Sequence, residues 1–216
     1  MSFLKSVIFG AEGSYNILGV DVTFEKSNSP SYYFASSTGG SGVLSIFTKS
    51  LGYLADNCLN SNVFRVVTQG YAHTFVHEMG HALACRVLTD QKPEVRIFTD
   101  LCVGETSISD PERLSPKIGS IIATSGPMAD MAFSGCKLVA ATALRSYLST
   151  PIAVTIGAGA VVWMTGELFV AYISASNKDG GDFGKIARHG SNHLTLASTA
   201  LIGQCALGVL AACKFM

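Results

Sequence analysis

The stretch Val66–Cys85, VVTQGYAHTFVHEMGHALAC, runs for 20 residues between Arg65 and Arg86, and its reading governs the rest of the chain. As a helix it rises about 30 Å, the thickness of a bilayer's hydrocarbon core. It also holds three histidines and a glutamate, which makes it a candidate span with a polar inner face. Within it lies His77-Glu78-Met79-Gly80-His81, an HExxH. Positions i and i+4 stack on one helix face, so His77 and His81 can grip one Zn2+ while Glu78 stands beside the attacking water as general base.

Working outward, three further apolar runs follow. Ile118–Leu144 is broken by Gly126-Pro127 and carries Asp130 and Lys137. Pro151–Ala175 has Glu167 as its one charge, and Leu194–Cys213 has none. A chain of 216 residues is short for hiding three such helices from water in a globular core, so the lengths predict membrane insertion. The expected fold is mainly α, a polytopic transmembrane helical bundle of about four spans. Glu94–Thr99 and Leu101–Ser107 form a short β-hairpin insertion before the Pro-bounded DPERLSP. Residues 1–60 read as a separate N-terminal mixed region, and 61–216 as a membrane-embedded metalloprotease-like domain. In the first region Tyr15–Phe24 suggests a hairpin, Ser27–Ser41 a loop and Ser45–Leu59 an amphipathic helix.

Charge supports the same picture. Lys+Arg and Asp+Glu number 15 each, and 14% of residues are charged, which excludes a basic nucleic-acid surface. Of the 30 charges, 20 precede Ile118. Mean hydropathy is +0.37. Eight Lys/Arg fall in 86–117 and 176–193, so these loops are expected to be cytoplasmic. The expected placement is multi-pass in an inner or plasma membrane, with the active site nearer the cytoplasmic face. Six cysteines without a CxxC pair read as small buried hydrophobes. The interrupted N-terminal apolar stretch gives no cleaved signal peptide.

A catalytic zinc needs three protein ligands and an open position. His81 is followed by ALACRVLTD, so no third histidine completes a metzincin pattern. Two sources of a carboxylate remain open. Glu105, in GETSISD, has a likeness to the downstream glutamate segment of thermolysin-like enzymes. Asp179 and Asp182, in KDGGDF, precede the last apolar run.

Over about 66–195 the chain resembles the site-2 protease family of intramembrane zinc metalloproteases. The likeness rests on the HExxH, on Ser125-Gly126-Pro127-Met128-Ala129-Asp130, similar to the family's GPxxN with Asp130 in place of Asn, and on Asp179-Gly180-Gly181. The family's lead-in to that aspartate is missing, and Asp182 follows as a second carboxylate. The resemblance implies Zn2+ held by His77, His81 and Asp179 or Asp182, with Glu78 catalytic. It implies hydrolysis of peptide bonds in membrane-protein or peptide substrates, with the lipid bilayer as surroundings and no nucleic-acid partner. Gly126 and Pro127 would open the second span to an extended substrate. The rival functions are a non-catalytic membrane scaffold or small transporter that keeps a metal site, and a soluble thermolysin-like peptidase using Glu105.

Other polar residues carry less. His73, one turn before His77, reads as a hydrogen-bonded core histidine or an outer partner of the metal site. Glu167 pairs helices or lines a water path. His189 and His193 read as solvated, and Gly39–Gly42 as a flexible link.

Overall fold

The computed structural model describes residues 2–27, 70–100 and 103–144, with 146, 147, 149, 152, 153, 156, 157, 159–161, 163, 164, 182, 186, 202, 203 and 206 beyond them. A short helix α1 (Phe3–Phe9) leads into strands β1 (Gly13–Ile17) and β2 (Val20–Glu25). Helix α2 (Gly70–Leu88) precedes strands β3 (Glu94–Phe98) and β4 (Val103–Ser107). A single 3-10 turn, Pro111–Arg113, leads to helix α3 (Pro116–Ala143).

The four strands form one mixed sheet in the order β1-β2-β3-β4. Two antiparallel hairpins supply its halves, and β2 joins β3 in parallel, Asp21 opposite Glu94 through Glu25 opposite Phe98. A parallel pair cannot be closed by a tight turn, and here α2 lies in the crossover. The first hairpin turns at Leu18-Gly19, both with positive φ (53° and 74°), the backbone hand that matches strand twist in a two-residue turn. Alternation along β2 sends Val20, Val22 and Phe24 into the core and turns Asp21 outward.

That core lies between the sheet and α2. Val20, Val22, Phe24, Val95 and Ile97 meet Tyr71, Met79 and Ala82, with Phe3 and Phe75 closing its edge. Gly10 ends α1 with φ of 65°, and a Cβ there would run into the Tyr71 ring. The Tyr71 hydroxyl donates to the Thr99 carbonyl at 2.6 Å, so even the polar tip of this core aromatic is satisfied.

The opposite face of α2 packs along α3. Gly80 permits the approach, since a Cβ there would lie 2.5 Å from the Ser125 carbonyl oxygen. α2 is thus a middle layer, covered by the sheet on one side and by α3 on the other. Burial on two sides explains an apolar length that imitates a span, because a helix hydrophobic around most of its girth suits a protein interior as well as lipid.

This architecture corrects the expected polytopic transmembrane bundle. The fold is α/β: the predicted hairpin insertion is half of a four-stranded sheet whose other half comes from residues 13–25. Among the described residues no helix is long and apolar enough to cross a membrane. α2 contains three histidines, Glu78 and Arg86, and α3 contains Asp130, Lys137 and many Gly, Ser and Thr, which dilute their hydropathy. The multi-pass placement in an inner or plasma membrane, with its cytoplasmic-facing site and intramembrane proteolysis, is corrected with it. The runs Pro151–Ala175 and Leu194–Cys213 lie largely outside the described residues, as do Ser45–Leu59 and most of Ser27–Ser41. α3 runs unbroken through Pro127, where a break was expected. Of the cysteines, Cys85 is buried as expected, whereas Cys136 is exposed.

Candidate metal centre

The two HExxH histidines point away from the sheet, toward α3. The His81 ring is held from behind: Nδ1 lies 2.6 Å from the Ile122 carbonyl oxygen. A carbonyl can only accept, so Nδ1 carries a proton, which leaves Nε2 as the ring atom that can ligate. Gly126 makes room for that ring, because a Cβ at this position would overlap its Nε2 and Cε1 atoms.

Asp182 arrives from far along the chain. Its Oδ2 lies 3.1 Å from His77 Nε2 and 3.0 Å from His81 Nε2, and the two Nε2 atoms are 3.2 Å apart. Zinc bonds of about 2.0–2.2 Å put tetrahedral ligand atoms roughly 3.3–3.5 Å apart, close to the edges of this triangle. The donor chemistry agrees. Two imidazole nitrogens and a carboxylate oxygen that converge on one point are bridged by a proton or by a metal cation, and this donor set is one that zinc takes. His77, His81 and Asp182 therefore fit a divalent metal in number, type and spacing, and they form a metal-capable group among the described residues.

Burial raises the affinity of the Asp182 carboxyl for its proton. Hydrogen bonds and charge from His77 and His81 more than offset this and hold it well below the usual carboxylate range. The group is ionised, as a ligand must be.

Glu78 points to the sheet side of the site. The Thr106 hydroxyl lies 2.7 Å from Glu78 Oε2 and 3.1 Å from the Glu78 carbonyl oxygen, so β4 fixes the carboxylate. Gly104, two residues earlier, gives it space: a Cβ there would come within 2.5 Å of Glu78 Cγ. The alternation of β4 brings Gly104 and Thr106 to one face, which is why the hairpin matters to the site.

Glu105 faces away on β4, its Oε1 4.0 Å from Arg96 Nη1 across the ladder, and it is not in the metal-capable group. Asp179, Glu167, His189 and His193 lie outside the described residues. Gly126 and Pro127 are buried within α3, Gly126 against the His81 imidazole.

A second polar cluster, one turn from the first, was only half visible in the sequence. His73 Nδ1 meets Asp130 Oδ1 in a very short contact, and His73 Nε2 lies 2.8 Å from Lys137 Nζ. Trp163 Nε1 donates to Asp130 Oδ2 at 2.6 Å. His73, Asp130 and Lys137 are 0%, 1% and 6% exposed. Burial pushes His73 down in spite of Asp130, and it pushes the Lys137 ammonium down to about 8. The available signal was two opposite charges seven apart in one apolar run, two turns on one helix face.

No family model, curated protein or solved structure matches this chain.

Proposed function

We propose that this protein is a zinc-dependent peptidase, similar in its catalytic residues to the site-2 proteases, in which His77, His81 and Asp182 hold the metal and Glu78 is the general base. The observation that carries the reading is the 3.0–3.2 Å triangle of two imidazole nitrogens and one carboxylate oxygen around HExxH. Zinc bound there would acidify a water and polarise the scissile carbonyl.

The chain's own residues supply the rest. Glu78 takes the proton from the attacking water and delivers it to the departing amine. Thr106 holds one carboxylate oxygen of Glu78, so the base does not swing away between the two transfers. The Ile122 carbonyl keeps the His81 proton on Nδ1, which leaves Nε2 free to ligate. The resemblance of the HExxH, Gly126–Asp130 and aspartate segments to those of the site-2 proteases favours peptide bonds over other hydrolysable bonds.

The test combines elemental analysis with digestion of an unfolded protein substrate followed by mass spectrometry. Wild type is expected to contain about one zinc per chain and to cleave. D182A is expected to lose the metal, and E78Q to keep the metal but lose cleavage. Full activity in E78Q would remove Glu78 from the mechanism, and a metal-free wild type that cleaves would overturn the zinc reading.

A further inference from the structure

We propose that Asp130, with His73, Lys137 and Trp163, is a positioning clasp that sets the register of α2 against α3 and thereby aims His77 and His81 at their metal. The inference rests on the zinc reading above.

The clasp is chemically complete. His73 Nδ1–H donates to Asp130 Oδ1, Lys137 Nζ donates to His73 Nε2, and Trp163 Nε1–H donates to Asp130 Oδ2. One carboxylate and one ammonium thus balance across a neutral imidazole, in a site closed to water. Removing one partner of such a group leaves the others buried and unpaired, which is far more costly than a lost surface bond. The Lys137 ammonium also lies 5.6 Å from the centre of the Phe133 ring.

The link to the metal site is geometrical. Eight residues on from His73 in α2 stands His81, and eight residues back from Asp130 in α3 stands Ile122. These are the residues joined by the Nδ1-to-carbonyl bond that fixes the His81 ring. The two bonds therefore belong to one antiparallel register. Sliding one helix by a residue moves it about 1.5 Å and turns each side chain about 100°, so both bonds fail together.

Between these two bonds the contact is made of small groups. Gly80 meets Ser125 and Ala129, and Gly126 meets His81. Small surfaces allow close approach but choose poorly among neighbouring registers. Directional, charged hydrogen bonds choose sharply, and fixing register is the best-attested use of buried polar groups.

The experiment measures zinc affinity of the purified full chain by competition with a chromophoric chelator, and the absorption spectrum of the cobalt(II)-substituted protein. D130A is expected to bind zinc about 10–100-fold more weakly, with altered cobalt bands, as when outer partners of metal ligands are lost. D130N should recover part of that affinity, because its amide oxygen still accepts the His73 proton, while its amino group opposes the Trp163 N–H and its lost charge leaves Lys137 unbalanced. L138A, a cavity in the same helix against Ala160 and Met164, should lower stability and leave zinc affinity and spectrum unchanged.

Wild-type affinity in D130A, or an equal loss in L138A, would overturn the clasp. If D130A does not fold, W163F removes a single bond to Asp130 and is expected to weaken zinc several-fold; no change there would overturn the clasp as well. A wild type that binds no zinc overturns the metal reading and with it the clasp's role toward the metal. A wild type that binds, beside an unaltered D130A, overturns the clasp alone.

Discussion

The α2–α3 interface contains two histidine–aspartate groups one helical turn apart, and they are built to opposite ends. At His77, His81 and Asp182 every converging atom can act as an acceptor, and the group is partly open, with His77 17% and Asp182 21% exposed. At His73 and Asp130 the chain supplies its own cation, Lys137, and seals the group. The same two residue types form a metal-capable group in one place and a sealed, internally balanced cluster in the other. What decides between them is whether the third partner donates or accepts.

Disabling the glutamate beside the first group should have the largest effect. E78Q is expected to lower peptide cleavage by about 10²–10⁴-fold with zinc content unchanged, read by rates and elemental analysis on the same preparation. Loss of metal in that variant would show that Glu78 acts with His77, His81 and Asp182 in holding the ion.

Breaking the second should register in stability. D130A leaves His73 and Trp163 without their acceptor and Lys137 without its counter-charge, and urea unfolding should show a loss of about 3–5 kcal/mol. A loss near zero would mean that water reaches the cluster and that its sealed character is wrong.

The built-in cation gives the comparison a pH signature. Burial holds Lys137 at about 8 in the folded protein, against an ordinary value of 10.5. Between these two values the unfolded chain carries a proton that the native chain has released, so unfolding free energy rises with pH. The cost of burying the ammonium is fully present below about pH 8 and is relieved as pH climbs toward 10.5. The rise is at most about 3 kcal/mol, and K137M should lack it when the two proteins are titrated side by side.

The smallest effect belongs to the strand that supports Glu78. T106V removes the hydroxyl 2.7 Å from Glu78 and should slow cleavage by about 5–10-fold, the worth of roughly one hydrogen bond, with zinc affinity untouched.

Local features of this molecule were legible because their signals are local. The hairpin about Leu18-Gly19, the strand pair after Lys92 and the pairing of His77 with His81 each follow from alternation, turn residues or an i, i+4 spacing. The approach of Asp182 was readable only as one of several carboxylates, because its distance from His81 is set by tertiary folding. The global reading failed for a related reason. Apolar length reports that a segment avoids water, and α2 avoids it between a sheet and a helix. The parallel pairing of β2 with β3 leaves no mark in either strand that points to the other. Asp130 and Lys137 were visible as misplaced charges, but their common partner, His73, lies on another helix.

The parallel join also dictates an order of assembly. Each hairpin can close within a few residues of itself, whereas bringing β2 beside β3 must overcome the closure entropy of the intervening chain; the Ser27 amide and the Asp100 carboxylate that meet at its end are 73 positions apart. Contacts so distant in sequence slow folding. Because the histidine-bearing helix is itself the bridge of that join, a nascent chain halted before Glu94 has no β3 for β2 to pair with. Such a fragment also lacks Asp182, the carboxylate that joins the two imidazoles in the metal-capable group of the full chain.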